Sequence, residues 1–166
     1  MTTRLGSEIT SLVMGRMTGS GGMNASLAAL SAPGSPAPAA IAAAQVRAEN
    51  VAAEMAERSN TVTYPAVNIY CEKVTNKLTE KFRSFSGTAQ MAIEVRHSQD
   101  RLDGLEAGLE AYADAAMTVL NASRGDWGDG MFYDGAYQVS FGPVKNGGRN
   151  LIQTAKITFE VNVSRS

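Results

Sequence analysis

The strongest constraint on the fold of this chain is the alternation in its last segment. In Lys156-Ile157-Thr158-Phe159-Glu160-Val161-Asn162-Val163 every second residue is apolar. Successive side chains of a strand point to opposite faces, so a period of two means one buried face and one wet face. Three earlier segments repeat the pattern. Val67, Ile69 and Cys71 alternate with Asn68, Tyr70 and Glu72. Phe85, Ala89, Met91, Ile93, Val95 and His97 alternate with Gln90, Ala92, Glu94 and Arg96. Tyr137, Val139 and Phe141 alternate with Gln138 and Ser140. Between the second and third lies a helical period, Leu102, Leu105, Leu109, Tyr112, Ala116 and Val119, with Asp100 as its expected N-cap and Gly125 as its expected C′ residue. Residues 61–166 therefore read strand, strand, helix, strand, strand. The expected fold is α+β, a mostly antiparallel four-stranded sheet with one helix packed across a face.

Residues 1–60 read as an N-terminal helical arm. Ser7 is placed to cap a short helix over 7–17, with Ile9, Leu12, Val13 and Met17 on one stripe. Gly19-Ser20-Gly21-Gly22 ends it, a helical turn or two is expected from Ala25 to Leu30, and Pro33 to Pro38 form a loop. From Ala39 to Arg58 the alanine content predicts a helix whose face carries Ile41, Ala44, Ala48, Val51, Ala52 and Met55. That face is thin, so it is expected to complete its burial against another subunit.

The charges and the cysteine count narrow the function classes. A formal net charge of −1 and a pI near 5.8 argue against a nonspecific nucleic-acid binder, which is usually basic. One cysteine, Cys71, cannot form an internal disulfide, which fits a reducing compartment. No apolar run is long enough to cross a bilayer, and the N-terminus does not read as a signal peptide.

Few residues are arranged for chemistry. Gly15 to Gly22 shares glycines with a phosphate loop but lacks the closing Lys-Ser/Thr and follows a helix, so it reads as a linker. Asp126, Asp129 and Asp134 sit among glycines without the spacing or the closing Glu of a calcium loop. No metal site is expected there, and Arg124-Gly125-Asp126 reads as the end of a helix. His97 is the single histidine; a Cys71–His97 pair across neighbouring strands is the one arrangement that would offer a nucleophile and a base. The alternative is a small core thiol and a strand-end histidine. Trp127, Met131, Phe132 and Tyr133 are more telling. They fall in a Gly/Asp-rich segment, 124–135, expected to be a loop. Large apolar groups there either fold back over the sheet or meet a partner. Together with Ile41, Ala48, Val51 and Met55 they are the candidate partner contacts.

From Thr61 to Ser166 the chain resembles the tail terminator (tail completion or neck) proteins of long-tailed bacteriophages. The resemblance rests on an opening strand with proline, Tyr64-Pro65-Ala66-Val67-Asn68-Ile69, and on a long strand ending in a polar switch, Ala92-Ile93-Glu94-Val95-Arg96-His97-Ser98. A helix beginning Leu102-Asp103-Gly104-Leu105-Glu106-Ala107 follows, and two amphipathic strands close the chain. The N-terminal region departs from the family, in which a single short helix is usual. The resemblance implies a homo-oligomeric ring, commonly hexameric, at the head-proximal end of the tail tube. Such a ring stops tube growth and joins tail to head, and DNA is free to pass through it. The implied partners are other copies of the chain, the tail tube protein and the head-side connector or stopper. The implied location is the virion neck, after assembly in the host bacterial cytoplasm. No cofactor, catalytic residue, membrane or sequence-specific nucleic-acid contact is implied. Two alternatives stand beside it: another neck or head-completion protein, and a small adaptor module that binds a host protein through 124–135.

Overall fold

The computed structural model describes residues 4–31, 33–34, 37–58 and 61–166. Two long strands form its frame. β3 (Phe85–Gln99) and β8 (Asn150–Arg165) pair antiparallel without a register shift, from Phe85 opposite Arg165 to Gln99 opposite Leu151. β2 (Ala66–Asn76) runs antiparallel along the other side of β3, with a register shift between Cys71 and Lys73. β1 (Val46–Arg47) joins β2 in parallel. The far side of β8 is shared by three short antiparallel strands, β5 (Met131–Tyr133), β6 (Tyr137–Phe141) and β7 (Lys145–Gly147). β4 (Gly125–Gly128) pairs with β5.

The alternation seen in the sequence decides which face is buried. Register places Met91 opposite Phe159, Ile93 opposite Ile157 and Val95 opposite Ala155, and Ile69 and Val67 continue the same rows on β2. All of these are buried. The opposite parity is polar, with Gln90 opposite Glu160 and Glu94 opposite Lys156. The apolar face is covered by α4 (Leu105–Ala122), by α1 (Leu5–Thr18), which packs on β2, and by α2 (Met23–Ala28), which packs on α4. Ile9, Val13, Met17, Met23 and Leu27 belong to the same core as the sheet and α4. The Arg165 guanidinium closes the structure, donating to both Glu8 carboxylate oxygens at 2.8 and 2.9 Å and so tying the last strand to the first helix. This holds the Glu8 carboxyl below its ordinary pKa, against a smaller opposing effect of burial.

The α+β class holds, but the sheet has eight strands where four were expected. β8 begins at Asn150, earlier than the alternation alone showed, and its length leaves room for several partners. The 124–135 segment is a β4–β5 hairpin instead of a loop. Gly125 (φ 127°) opens that hairpin and does not end the helix. At the other end of α4, Asp100 does not cap it. Gln99 Nε2 donates to the Arg101 and Asp103 carbonyls, at 2.8 and 2.6 Å, and the intervening turn delays the helix to Leu105. Ser7 likewise lies inside α1, which starts at Leu5.

The largest departure is the alanine-rich segment. Only α3 (Ala53–Arg58) is α-helical, after an extended stretch, one 3-10 turn at Ala43–Gln45 and β1. Helix propensity is a weak preference that tertiary partners override. Here those partners are visible. The Asn24 amide brackets Ile41, donating to its carbonyl at 2.8 Å and accepting from its N–H at 2.7 Å. Gln45 donates to the Pro65 carbonyl, Val46 pairs beside Val67, and Arg96 donates to the Val51 carbonyl. Each bond takes a backbone group that a continuous helix would have used, or fixes an extended one. Of the expected Pro33–Pro38 loop, Ser35 and Pro36 lie outside the described residues.

The core assignment makes Phe159 a sensitive position. Its ring is buried and meets Tyr133 edge-on with centroids 5.4 Å apart. Phe159→Ala should destabilise the subunit by about 3–5 kcal/mol. A chemical or thermal unfolding curve measures it, and a change below about 1 kcal/mol would place this strand outside the core.

Candidate functional site

Large apolar groups that the fold leaves uncovered mark where this chain can meet another molecule. Of the four contact candidates in 124–135, three are turned inward by the alternation of the hairpin. Met131 and Tyr133 are buried, and Trp127 is half-buried against the core. Trp127 donates through Nε1 to the Ser123 carbonyl at 2.7 Å and stacks at a tilt on Tyr133, while the Arg16 guanidinium lies 4.6 Å from its ring centre. The Tyr133 hydroxyl donates to the Ala136 carbonyl, and burial, with a smaller contribution from Asp134, pushes its pKa up to about 12. These three side chains hold the hairpin on the sheet. Phe132, of opposite parity, remains 48 % exposed.

Two of the three aspartates of the same segment are occupied by turn geometry. Asp126 accepts from the Gly128 N–H at 2.8 Å, and Asp134 accepts from the Ala136 N–H at 2.9 Å. Among the described residues no group of three or more His, Cys, Asp or Glu is placed to hold a metal ion. Gly130 does fit its position for a reason: at φ 77°, a Cβ there would lie 1.9 Å from the Ser164 carbonyl oxygen.

The candidates between Ile41 and Met55 do not share one face. Ile41 is buried in the core, Ala48 is exposed in an extended stretch, Val51 is half-buried, and Met55 is 58 % exposed on α3. Of that set, Ala48 and Met55 are presented outward.

Other large apolar residues stand exposed that were not among the candidates, Leu30, Val74, Leu102 and Phe141 singly and two together at the tip of the β2–β3 hairpin. Phe82 is 100 % exposed and Leu78 63 %. Both have left-handed backbone, φ 64° and 48°, at a cost of about 1–2 kcal/mol each. A network of short bonds maintains that conformation. Asn76 Oδ1 accepts from the Leu78 and Ser86 N–H groups, and its Nδ2 donates to the Ser84 carbonyl at 3.1 Å. Ser86 Oγ accepts from the Glu80 N–H at 3.0 Å, and Ser164 Oγ donates to the Glu80 carboxylate at 2.7 Å. The only advance signal was Phe82 itself, an aromatic between Lys81 and Arg83 in a stretch with no apolar period.

Cys71 and His97 are not brought together. Cys71 pairs with Met91, and His97 lies six positions further along β3, roughly 20 Å away. The Cys71 thiol packs under Gly6 of α1, where burial pushes its pKa up. His97 packs its ring on Tyr112, with centroids 5.5 Å apart. Gly108 of α4 makes this possible, because a Cβ there would lie 3.0 Å from Nε2. Among the described residues the buried Nδ1 of His97 has no hydrogen-bond partner, nor has Oε1 of Gln153, the residue opposite it on β8. On the polar face of the sheet, Lys156 and Glu72 form an ion pair, Gln90 donates to the same carboxylate, and Glu94 pairs with Arg96 at 2.7 Å. Among the described residues no helix is long and apolar enough to cross a membrane. Compared with known proteins, the chain matches no family model and no curated sequence.

His97 gives a pH dependence of known sign. Burial favours the neutral ring and lowers its folded pKa below the ordinary 6.5. The unfolded chain therefore binds the proton more readily than the folded one. Native stability is complete above pH 6.5 and falls as the pH drops from there through the folded pKa. Uncharged Tyr112 and Gln153 face the ring and offer the cation no counter-charge. Melting temperatures of the wild type should drop between pH 7 and pH 5, and His97→Gln should flatten that drop. An identical slope in the variant would show that His97 is neutral in neither or both states.

Proposed function

We propose that this chain is a structural virion protein, the subunit of a homo-oligomeric tail-terminator ring in a long-tailed bacteriophage. In this role it caps the head-proximal end of the tail tube, stops tube growth and presents a surface to the head-side connector. The observation that carries the proposal is the contrast between the interior and one end of the sheet. The core takes in the apolar faces of β2, β3, β8 and α4, yet Leu78 and Phe82 stand in water on a turn held by side-chain hydrogen bonds. Pre-organised aromatics of this kind are favoured anchors at protein interfaces, because little freedom is lost on binding. The two long strands followed by a helix and a long final strand, which resemble the terminator family, add support, as does a net charge of −1, which lets like subunits approach without strong repulsion. Contacts of this kind form a closed ring only when the two faces of each subunit differ and the rotation closes.

The test is genetic and visual. In a phage lacking the chain, electron microscopy should show separate heads and tails, the tails overlong, and plasmid-borne wild type should restore joined particles. Phe132→Ala should fold with an unchanged melting curve, since its ring is half in water, and should reduce restoration if the β4–β5 hairpin meets the tube or connector. Normal particles from the phage lacking the chain would overturn the proposal.

A further inference from the structure

We propose that the β2–β3 hairpin tip of one copy of this chain seats in the cleft between α3 and β7–β8 of a second copy. This rests on the self-assembly proposed above and names the two surfaces that carry it. The tip, residues 77–84, is an aromatic knob with a cationic collar: Phe82 stands fully exposed between Lys81 and Arg83. Its charges are Lys77, Lys81 and Arg83 against Glu80, a net of +2.

The cleft has the complementary character. It has a volume of about 270 Å³, with Ile152, Ala53 and Pro143 among its apolar lining and Glu54, Glu57 and Lys145 as its charged groups, a net of −1. Glu54 is already engaged by Lys145 at 3.4 Å. Glu57 is not: its Oε1 is shielded from water and, among the described residues, has no hydrogen-bond partner. A buried carboxylate oxygen without a donor is costly, and a lysine or arginine brought in beside an apolar group would satisfy it. On the tip, Arg83 lies 3.5 Å from Glu80, and Lys81, the neighbour of Phe82, is the cation placed to reach Glu57 as the ring enters the cleft.

Geometry makes the contact intermolecular. Ile152 and Thr154 of the cleft are near the start of β8, whereas the tip is fastened to its end through Ser84 Oγ donating to the Arg165 carbonyl. Eleven positions of strand separate Thr154 from Arg165, roughly 35 Å. A knob and a hole at opposite ends of one rigid strand cannot meet within a subunit. They define a head-to-tail contact between unlike surfaces, the kind that builds rings or, without closure, filaments.

Charge reversal and cross-linking test this. Phe82→Ala, Lys81→Glu and Glu57→Lys should each melt like the wild type and weaken self-association about tenfold or more, measured by sedimentation. Lys81→Glu combined with Glu57→Lys in one chain should restore association. In a Cys71→Ser background, Lys81→Cys mixed with Glu57→Cys should give a disulfide-linked dimer under mild oxidation, and neither alone should. Dimers from Lys81→Cys alone, no dimer from the mixture, or unchanged association of Phe82→Ala would overturn the contact. In the last case a chain that still self-associates leaves the ring proposal standing. A wild type that remains monomeric throughout overturns the contact, while the particles of the phage lacking the chain judge the terminator role separately.

Discussion

The pairing of β3 with β8 is the interaction on which the rest of the structure depends. Its register runs unbroken from Phe85–Arg165 to Gln99–Leu151, and one parity of both strands is apolar through its middle, from Ala89 opposite Val161 to Val95 opposite Ala155. A slip of β3 by one residue against β8 would turn Met91 and Ile93 outward and bring Gln90 and Glu94 into the core opposite Ile157 and Phe159. Everything else attaches to this pair. β2 extends it on one side, the three short strands on the other, and α1, α2 and α4 close the apolar face. The Glu8–Arg165 bridge then fixes the N-terminal helix to the far end of β8.

A rigid central pair also determines what the surface can do. Its two ends are separated by the length of β8 and differ in chemistry. One end carries Phe82 and Leu78 on a turn held by Asn76 and Ser86. The other carries a cleft with Glu57 at its side. The side chains that would have made the β4–β5 hairpin a general adhesive surface are spent on the subunit's own packing. Trp127 and Tyr133 stack on one another and Met131 lies in the core. Cys71 and His97, far apart along the sheet, serve packing: the thiol beneath Gly6 and the imidazole in the space left by Gly108.

The parts of this fold that were legible in the sequence are those where one physical signal dominates. The alternation of Ile157, Phe159, Val161 and Val163 marked β8, that of Met91, Ile93 and Val95 marked β3, and the spacing of Leu105, Leu109, Tyr112, Ala116 and Val119 marked α4, whereas Leu102, read as part of the same stripe, lies before the helix and is exposed. Glycine at 19–22 marked the end of α1. Short elements carry too few residues for a period, so β5, three residues long, was taken for loop. The alanine-rich segment was misjudged because propensity was the only local signal there, and the Asn24, Gln45 and Arg96 bonds that extend it come from distant parts of the chain. At the candidate site, the sequence left two alternatives for the aromatics among glycines, folding back over the sheet or meeting a partner; strand parity turns Trp127, Met131 and Tyr133 inward and leaves Phe132 exposed. Phe82 was passed over because a single aromatic among charges has no pattern to join.

Sedimentation velocity of the purified wild-type chain over a range of concentrations distinguishes a closed ring from a monomer or a filament. Monomer should give way to one larger species whose size stops increasing, as a closed head-to-tail ring requires. A monomer at every concentration up to the solubility limit would contradict it, and so would a series of ever larger species without a limit.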